Sequence, residues 1–267
     1  MTLGVPKTVT RLYHRINPPP ALEKQIFKAY ARYLRFYVKT CTRYNYDRKN
    51  PANLYPLKLL WINPQEIEYG VRRRKLEGIN GTLLPRILDG DWDQEKISAI
   101  EERTRYRSMN QHFREGLEWE KTELYQKRLN EIHETGSTKY GGTVTSQQEL
   151  DQVFENIDTL YQEIKENGYK TQREIRKKEK IVNAQLRPDH YANELNEVII
   201  DIGRNGELLF HENRHRLYIA KILGLEKIPV RVLVRHSEWQ KKRNLVVEGP
   251  ETLPEKFRDH PDIEYLI

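Results

Sequence analysis

GELLFHENRHRLYIAKILGLEKIPVRVLVRH, residues 206–236, decides the fold, because it holds a strand, a turn, a helix and a second strand in that order. ELLF (207–210) reads as a strand. It pairs with NEVIIDI (196–202) across Arg204-Asn205-Gly206, where Asn-Gly is expected to supply the positive φ angles of a tight hairpin turn. A helix fits 213–223 with Gly224 as its stop, and IPVRVLV (228–234) reads as the closing strand. Within this run His211-Glu212-x-x-His215 matches the zinc-peptidase pattern H-E-x-x-H, which needs both imidazoles on one helical face. Here an apolar strand runs straight into His211, and Glu212 or Asn213 is the better N-cap. His211 then ends the strand, His215 opens the helix, and zinc hydrolysis is a minor alternative. The same geometry suits a different ligand. The first N–H groups of a helix are unpaired and its dipole is positive there, so Arg214, His215 and Arg216 make a phosphate site, with bidentate bonds from the guanidinium groups.

Upstream, Ser146-x-x-Glu149 is a capping box opening a helix that places Leu150, Val153, Phe154, Ile157, Leu160, Tyr161 and Ile164 on one face, closed by Gly168. DWDQEKISAIEERTRYRSMNQHFREG and LEWEKTELYQKRLNEIHETG (91–136) read as helices, with Asp91 or Asp93 available as a cap. Leu57 to Ile62, ended by Asn63-Pro64, suits a strand entering a turn. Residues 21–40 spell a basic amphipathic helix. Ile26, Phe27, Tyr30, Tyr33, Leu34, Tyr37 and Val38 form its apolar face, and Lys24, Lys28, Arg32, Arg35 and Lys39 lie opposite. Such a helix either packs on the protein or makes peripheral contact with an anionic membrane.

The chain has 267 residues, 46 Lys+Arg against 39 Asp+Glu, and a formal net charge of +7, which favours anionic partners without choosing among nucleotide, nucleic acid and lipid. The single cysteine, Cys41, excludes an intrachain disulfide and a multi-cysteine metal cage. No apolar run is long enough for a signal peptide or a membrane span, so a cytoplasmic location, peripheral to a membrane at most, is expected. Charge clusters occur at RRRK (72–75) and REIRKKEK (173–180), without the aromatic interleaving that base stacking uses.

The 206–236 run resembles the ParB/sulfiredoxin-like superfamily. Its core segment reads as an Asp-Gly-His/Arg-His-Arg turn, a short Ala-rich helix, Leu-Gly, and a strand beginning Ile/Val-Pro-Val. His215-Arg216, Ala220-Lys221, Leu223-Gly224 and Ile228-Pro229-Val230 follow that order here. Gly168 and Gln172 stand where the family has a Gly and a Gln-containing turn, and LKLLWINPQEI looks like its first strand and Asn-Pro turn. The resemblance implies an α/β (α+β) fold. A ParB/sulfiredoxin-like domain would span 51–240, with a helical insertion at about 91–140, after an amphipathic region at 1–50 and before an extension at 241–267. Sulfiredoxins carry a catalytic cysteine before the His-Arg pair, where this chain has Arg214, and no helix-turn-helix of the ParB kind is readable after His236.

Free serine kinases are relatives that keep the phosphate turn and use a separate carboxylate as base; their Asp-Gly is Glu212-Asn213 here. The expectation is therefore a nucleotide-dependent phosphotransferase using ATP or another nucleotide with Mg2+ and acting on a small hydroxyl-bearing substrate. Arg214, His215 and Arg216 would hold the phosphates, helped by Lys170, Gln172 and Arg173 of the second turn. Asp91 and Asp93 would act as base or metal ligands, with Glu212 and Glu68 as further candidate carboxylates. A ParB-like nucleic-acid-binding protein or nuclease is the principal alternative.

Overall fold

The computed structural model describes residues 20–71, 84–140, 142–178, 197–249 and 254–266. RRRK (72–75) and the end of REIRKKEK lie outside them. Helix α1 (Pro20–Thr42) continues into a π-helical turn, Arg43–Asp47. Strand β1 (Leu60–Ile62) enters the Asn63-Pro64 turn, and β2 (Tyr69–Gly70) and β3 (Arg86–Leu88) follow. Next come α2 (Thr104–Glu115), α3 (Glu123–Thr135) and a small hairpin of β4 (Thr138–Lys139) and β5 (Thr143–Val144). Helices α4 (Gln147–Asn167) and α5 (Gln172–Lys178) precede β6 (Val198–Ile202), β7 (Leu208–Glu212), α6 (Arg214–Leu223) and β8 (Ile228–His236). Helices α7 (Ser237–Glu248) and α8 (Pro261–Glu264) complete the chain.

The fold is mixed α/β around a mixed sheet of order β1-β8-β6-β7-β2, with β3 joining the edge of β8 that β1 leaves free. Strand β8 runs parallel to β6, while β6 and β7 form the antiparallel hairpin read from the sequence. Every residue of β8 is buried, as befits a strand covered on both faces. On one face Ile200, Phe210, Val230 and Val232 meet Leu217 and Ile219 of α6 and Phe154, Ile157 and Tyr161 of α4. The capping box holds. The Ser146 hydroxyl accepts from Glu149 N–H at 3.2 Å, and the Glu149 carboxylate turns back to Thr145 N–H at 2.7 Å.

Three local expectations are corrected. The hairpin takes one positive φ, at Gly206 (+89°), and not two; Gly206 N–H donates to the Gly203 carbonyl, so the loop is longer than a two-residue Asn-Gly turn. The first helix of the insertion begins at Thr104, not near Asp91, because residues 97–100 run along the sheet edge. There Ile97 N–H donates to the Gly70 carbonyl and Ile100 N–H to that of Glu68. On α1 the buried stripe is Ala31, Leu34, Val38 and Thr42, whereas Tyr33 and Ile26, read as apolar-face residues, are exposed. The side chains of Phe27 and Tyr30 lie outside the described set.

Two polar features tie the sheet together. Fully buried Asp201 accepts Val234 N–H at 3.1 Å and faces His211 Nδ1 at 2.8 Å. The β6–β8 register shifts between Ile200 and Asp201, where this carboxylate occupies a ladder N–H. Burial pushes the Asp201 carboxyl up, against the opposing pull of His211. One residue further along β8, Asp262 of α8 accepts from Arg235 Nε and Nη2 (2.8 and 2.6 Å) and Trp239 Nε1 (2.9 Å), and Arg243 Nε lies 3.1 Å away. All four side chains are buried. The segment read as an extension thus supplies a charge that the core requires.

A cationic pocket at the start of helix α6 as candidate functional site

The turn from β7 into α6 is made by Asn213, which adopts φ +68° and ψ +51°. Asn is among the few non-glycine residues that tolerate this left-handed conformation, and its amide donates to the Glu197 carbonyl at 2.5 Å. No side chain caps α6 at Asn213, and none caps α2 at Arg103. Neither helix has an acidic residue in its first turn; each carries an arginine there, Arg214 at the first position of α6 and Arg105 at the second of α2. Cations at the positive end of a helix dipole cost roughly 0.3–1 kcal/mol each unless an anion offsets them.

Both starts converge on Tyr140, in the tip of the β4–β5 hairpin. The Arg105 guanidinium lies 4.4 Å from the centre of the Tyr140 ring and that of Arg128 lies 5.6 Å away. His215 Nε2 is 3.4 Å from the Tyr140 hydroxyl. Arg128 is paired with Glu131 at 2.7 Å. Among the described residues no carboxylate pairs with Arg105 or Arg214. Burial and then the neighbouring Arg214 and Arg128 lower the Arg105 pKa. Burial, followed by Arg105 and Arg214, pushes His215 down to about 3, so its imidazole is neutral. Arg105 and Arg214 are thus like charges held close with no carboxylate paired to either among the described residues, while Arg128 adds a third cation that Glu131 offsets.

The other expected site residues are either engaged within the protein beside this turn, as Arg216, Lys170 and Gln172 are, or lie away from it. Arg216 is buried, with Nε on the Tyr169 hydroxyl (3.0 Å), Nη2 on the Lys170 carbonyl (2.5 Å) and its guanidinium 4.2 Å from the Tyr169 ring centre. It braces α6 against the Gly168 turn. Gln172 N–H donates to the buried Glu197 carboxylate at 2.6 Å, Lys170 is half-buried and Arg173 exposed. Asp93 accepts from Arg204 N–H (2.8 Å), Nε (3.0 Å) and Nη2 (2.7 Å), and Asp91 accepts from Nη2 at 2.8 Å. Burial pushes Asp93 up, but the Arg204 bonds outweigh it and bring the carboxyl to about 2. These aspartates clamp the hairpin tip, a full β7 length from Arg214, or about 17 Å. They hold a guanidinium and do not fit the role of metal ligands at the phosphate turn.

Glu68 is exposed and acts on Lys221, some two turns along α6 from Arg214, or about 10 Å. Of the four candidate carboxylates only Glu212, the last residue of β7, adjoins the turn. His211 and His215 serve different partners, Asp201 and Tyr140, so the H-E-x-x-H pattern does not bring its imidazoles together. Among the described residues no group of three His, Cys, Asp or Glu side chains could hold a metal ion. No family model, no curated protein and no solved structure matches this chain.

Sequence reading missed Arg105, Arg128 and Tyr140, all from the segment treated as an insertion. One signal was present. RTRYR (103–107) opens a helix with three arginines and no acid, against the usual acidic bias of a first turn. A partner distant in sequence gives that anomaly its meaning.

Proposed function

We propose that the chain is a nucleotide-dependent phosphotransferase acting on a small hydroxyl-bearing molecule, with the phosphoryl groups held at the start of α6. The observation that carries this reading is the convergence of Arg105 and Arg214, both without a described carboxylate partner, on the uncapped first turn of α6. Guanidinium forks and free helix N–H groups are the donors that phosphate oxygens take. Glu212, the last residue of β7 and next to the turn, would be the carboxylate that accepts a proton from the acceptor hydroxyl. The resemblance of residues 206–236 to the ParB/sulfiredoxin-like superfamily supports the same turn as a phosphate site.

The test is the melting temperature of the full chain against ATP, ADP, GTP and CTP, with and without magnesium, since a ligand that binds only the folded state raises its stability. A saturable rise in the wild type that is absent in Arg214→Ala is expected. A flat response to every nucleotide sinks the reading, and an equal response to any polyanion, steeply dependent on salt, moves the assignment to nucleic-acid binding.

The pocket also makes a spectroscopic prediction. Burial depresses the His215 pKa first and Arg105 and Arg214 depress it further, so an anion bound between the arginines offsets their share and raises it. Titration of the histidine ring signals by NMR should show His215 neutral down to pH 5 in the free protein, and moving up by about a unit or more when nucleotide is saturating. An unchanged His215 titration would remove it from the pocket.

A further inference from the structure

Helix α1 carries two apolar stripes, one of which is buried among the described residues while the other is exposed. Ala31, Leu34, Val38 and Thr42 are buried and fix its C-terminal half on the protein. Leu22, Ile26, Tyr33 and Phe36 recur at the three- and four-residue spacing of a second stripe, which the 100° advance per residue sets well away from the first. These four are 46%, 38%, 49% and 69% exposed. Lys28, Arg32, Lys39 and Arg43 are exposed and run along one flank of this stripe. From Lys24 to Tyr46 the sequence holds no acidic residue.

We infer that this face of α1 docks on an anionic lipid surface, lying in the plane of the headgroups. The combination decides the occupant. Leu22, Ile26 and Phe36 gain from burial in acyl chains, which a nucleic acid does not offer to aliphatic side chains, while the flanking cations meet acidic headgroups. A second copy fits less well, because pairing the stripes would set the cationic flanks against one another with no acid on the face to offset them. Among the described residues no helix is long and apolar enough to cross a membrane, so the contact is one of surface binding. This inference is independent of the α6 pocket.

The experiment is cosedimentation of the full chain with vesicles of phosphatidylcholine alone or with about a third phosphatidylserine, the composition that supplies the surface charge. Binding to the acidic vesicles and not to the neutral ones, weakened by salt, is expected. The double variants Arg32→Glu/Lys39→Glu and Tyr33→Ser/Phe36→Ser should each lose at least about tenfold in partition while keeping the wild-type melting temperature, since all four side chains are exposed. Failure to bind acidic vesicles at low salt overturns the inference. So does binding that both variants retain, or binding to an oligonucleotide that both variants lose while vesicles leave the protein in solution.

Discussion

Changing Arg105 and Arg214 together to alanine is expected to abolish nucleotide binding while raising the stability of the free protein. A charge-assisted hydrogen bond to phosphate contributes about 1.5–3 kcal/mol, so each single change should weaken binding by roughly 10- to 100-fold and the pair by about 100-fold or more. The opposite sign for the free protein follows from the same charges. Burial and then the nearby Arg214 lower the Arg105 pKa, and the two arginines sit in the first turns of two helices with no described carboxylate paired to either. Removing them relieves that repulsion, by up to about 1 kcal/mol for each helix start. Scanning calorimetry of the free variants, combined with calorimetric titration of nucleotide, separates the two effects. A double variant that melts lower and binds normally would show the arginines to be structural. Arg216→Ala is the internal contrast: its guanidinium is committed to Tyr169 and Lys170, so its loss should lower the melting temperature.

Asp262→Ala should produce the largest loss of stability. Removing one partner from a buried ion pair costs about 3–5 kcal/mol, because the remaining charge stays buried, and Asp262 serves both Arg235 and Arg243. Against a total stability of roughly 5–15 kcal/mol, that leaves the chain marginal and lowers its melting temperature by about 10–15 °C. Asp262→Asn should be nearly as damaging, since volume is retained and charge is not. The Arg107–Glu123 pair gives the scale of an exposed bridge. Its side chains are 53% and 58% exposed, and breaking it should cost under about 1 kcal/mol.

Acid should act through the same group. Burial alone would raise the Asp262 pKa, but Arg235 and Arg243 hold it far below its unfolded value. Its contribution is therefore fully present above the unfolded carboxyl pKa of about 4 and is lost as the pH falls below that value. Thermal melts at pH 7 and pH 3 should differ more for the wild type than for Asp262→Asn; equal pH sensitivity would discount the cluster.

What could be read from residues 206–236 was local. Hydrophobic runs, Asn-Gly, the basic helix start and Gly224 specify a hairpin, a helix and a strand over a few residues each, and the structure has all of them. The capping box at Ser146 is equally self-contained. The pocket was legible only by half. Arg214 and His215 belong to the turn, but Arg105, Arg128 and Tyr140 reach it by tertiary packing of α2, α3 and the β4–β5 hairpin, which no periodicity announces. GDWD misled for a related reason. Two carboxylates spaced for a cation met one, but it was the Arg204 guanidinium at the hairpin tip. The exposed stripe of α1 escaped because its apolar residues and the buried ones alternate around one helix, and a single moment sums them into one face.

The carboxylate in the β6–β8 ladder has a use for spectroscopy. A strand amide ordinarily donates to a carbonyl, which does not titrate, so its chemical shift is largely blind to pH. Val234 N–H instead donates to Asp201, a group shut away from solvent that would otherwise be hard to observe. The backbone signal of one valine therefore reports the protonation state of the buried aspartate, and through it that of the His211 pair, without any probe having to enter the core.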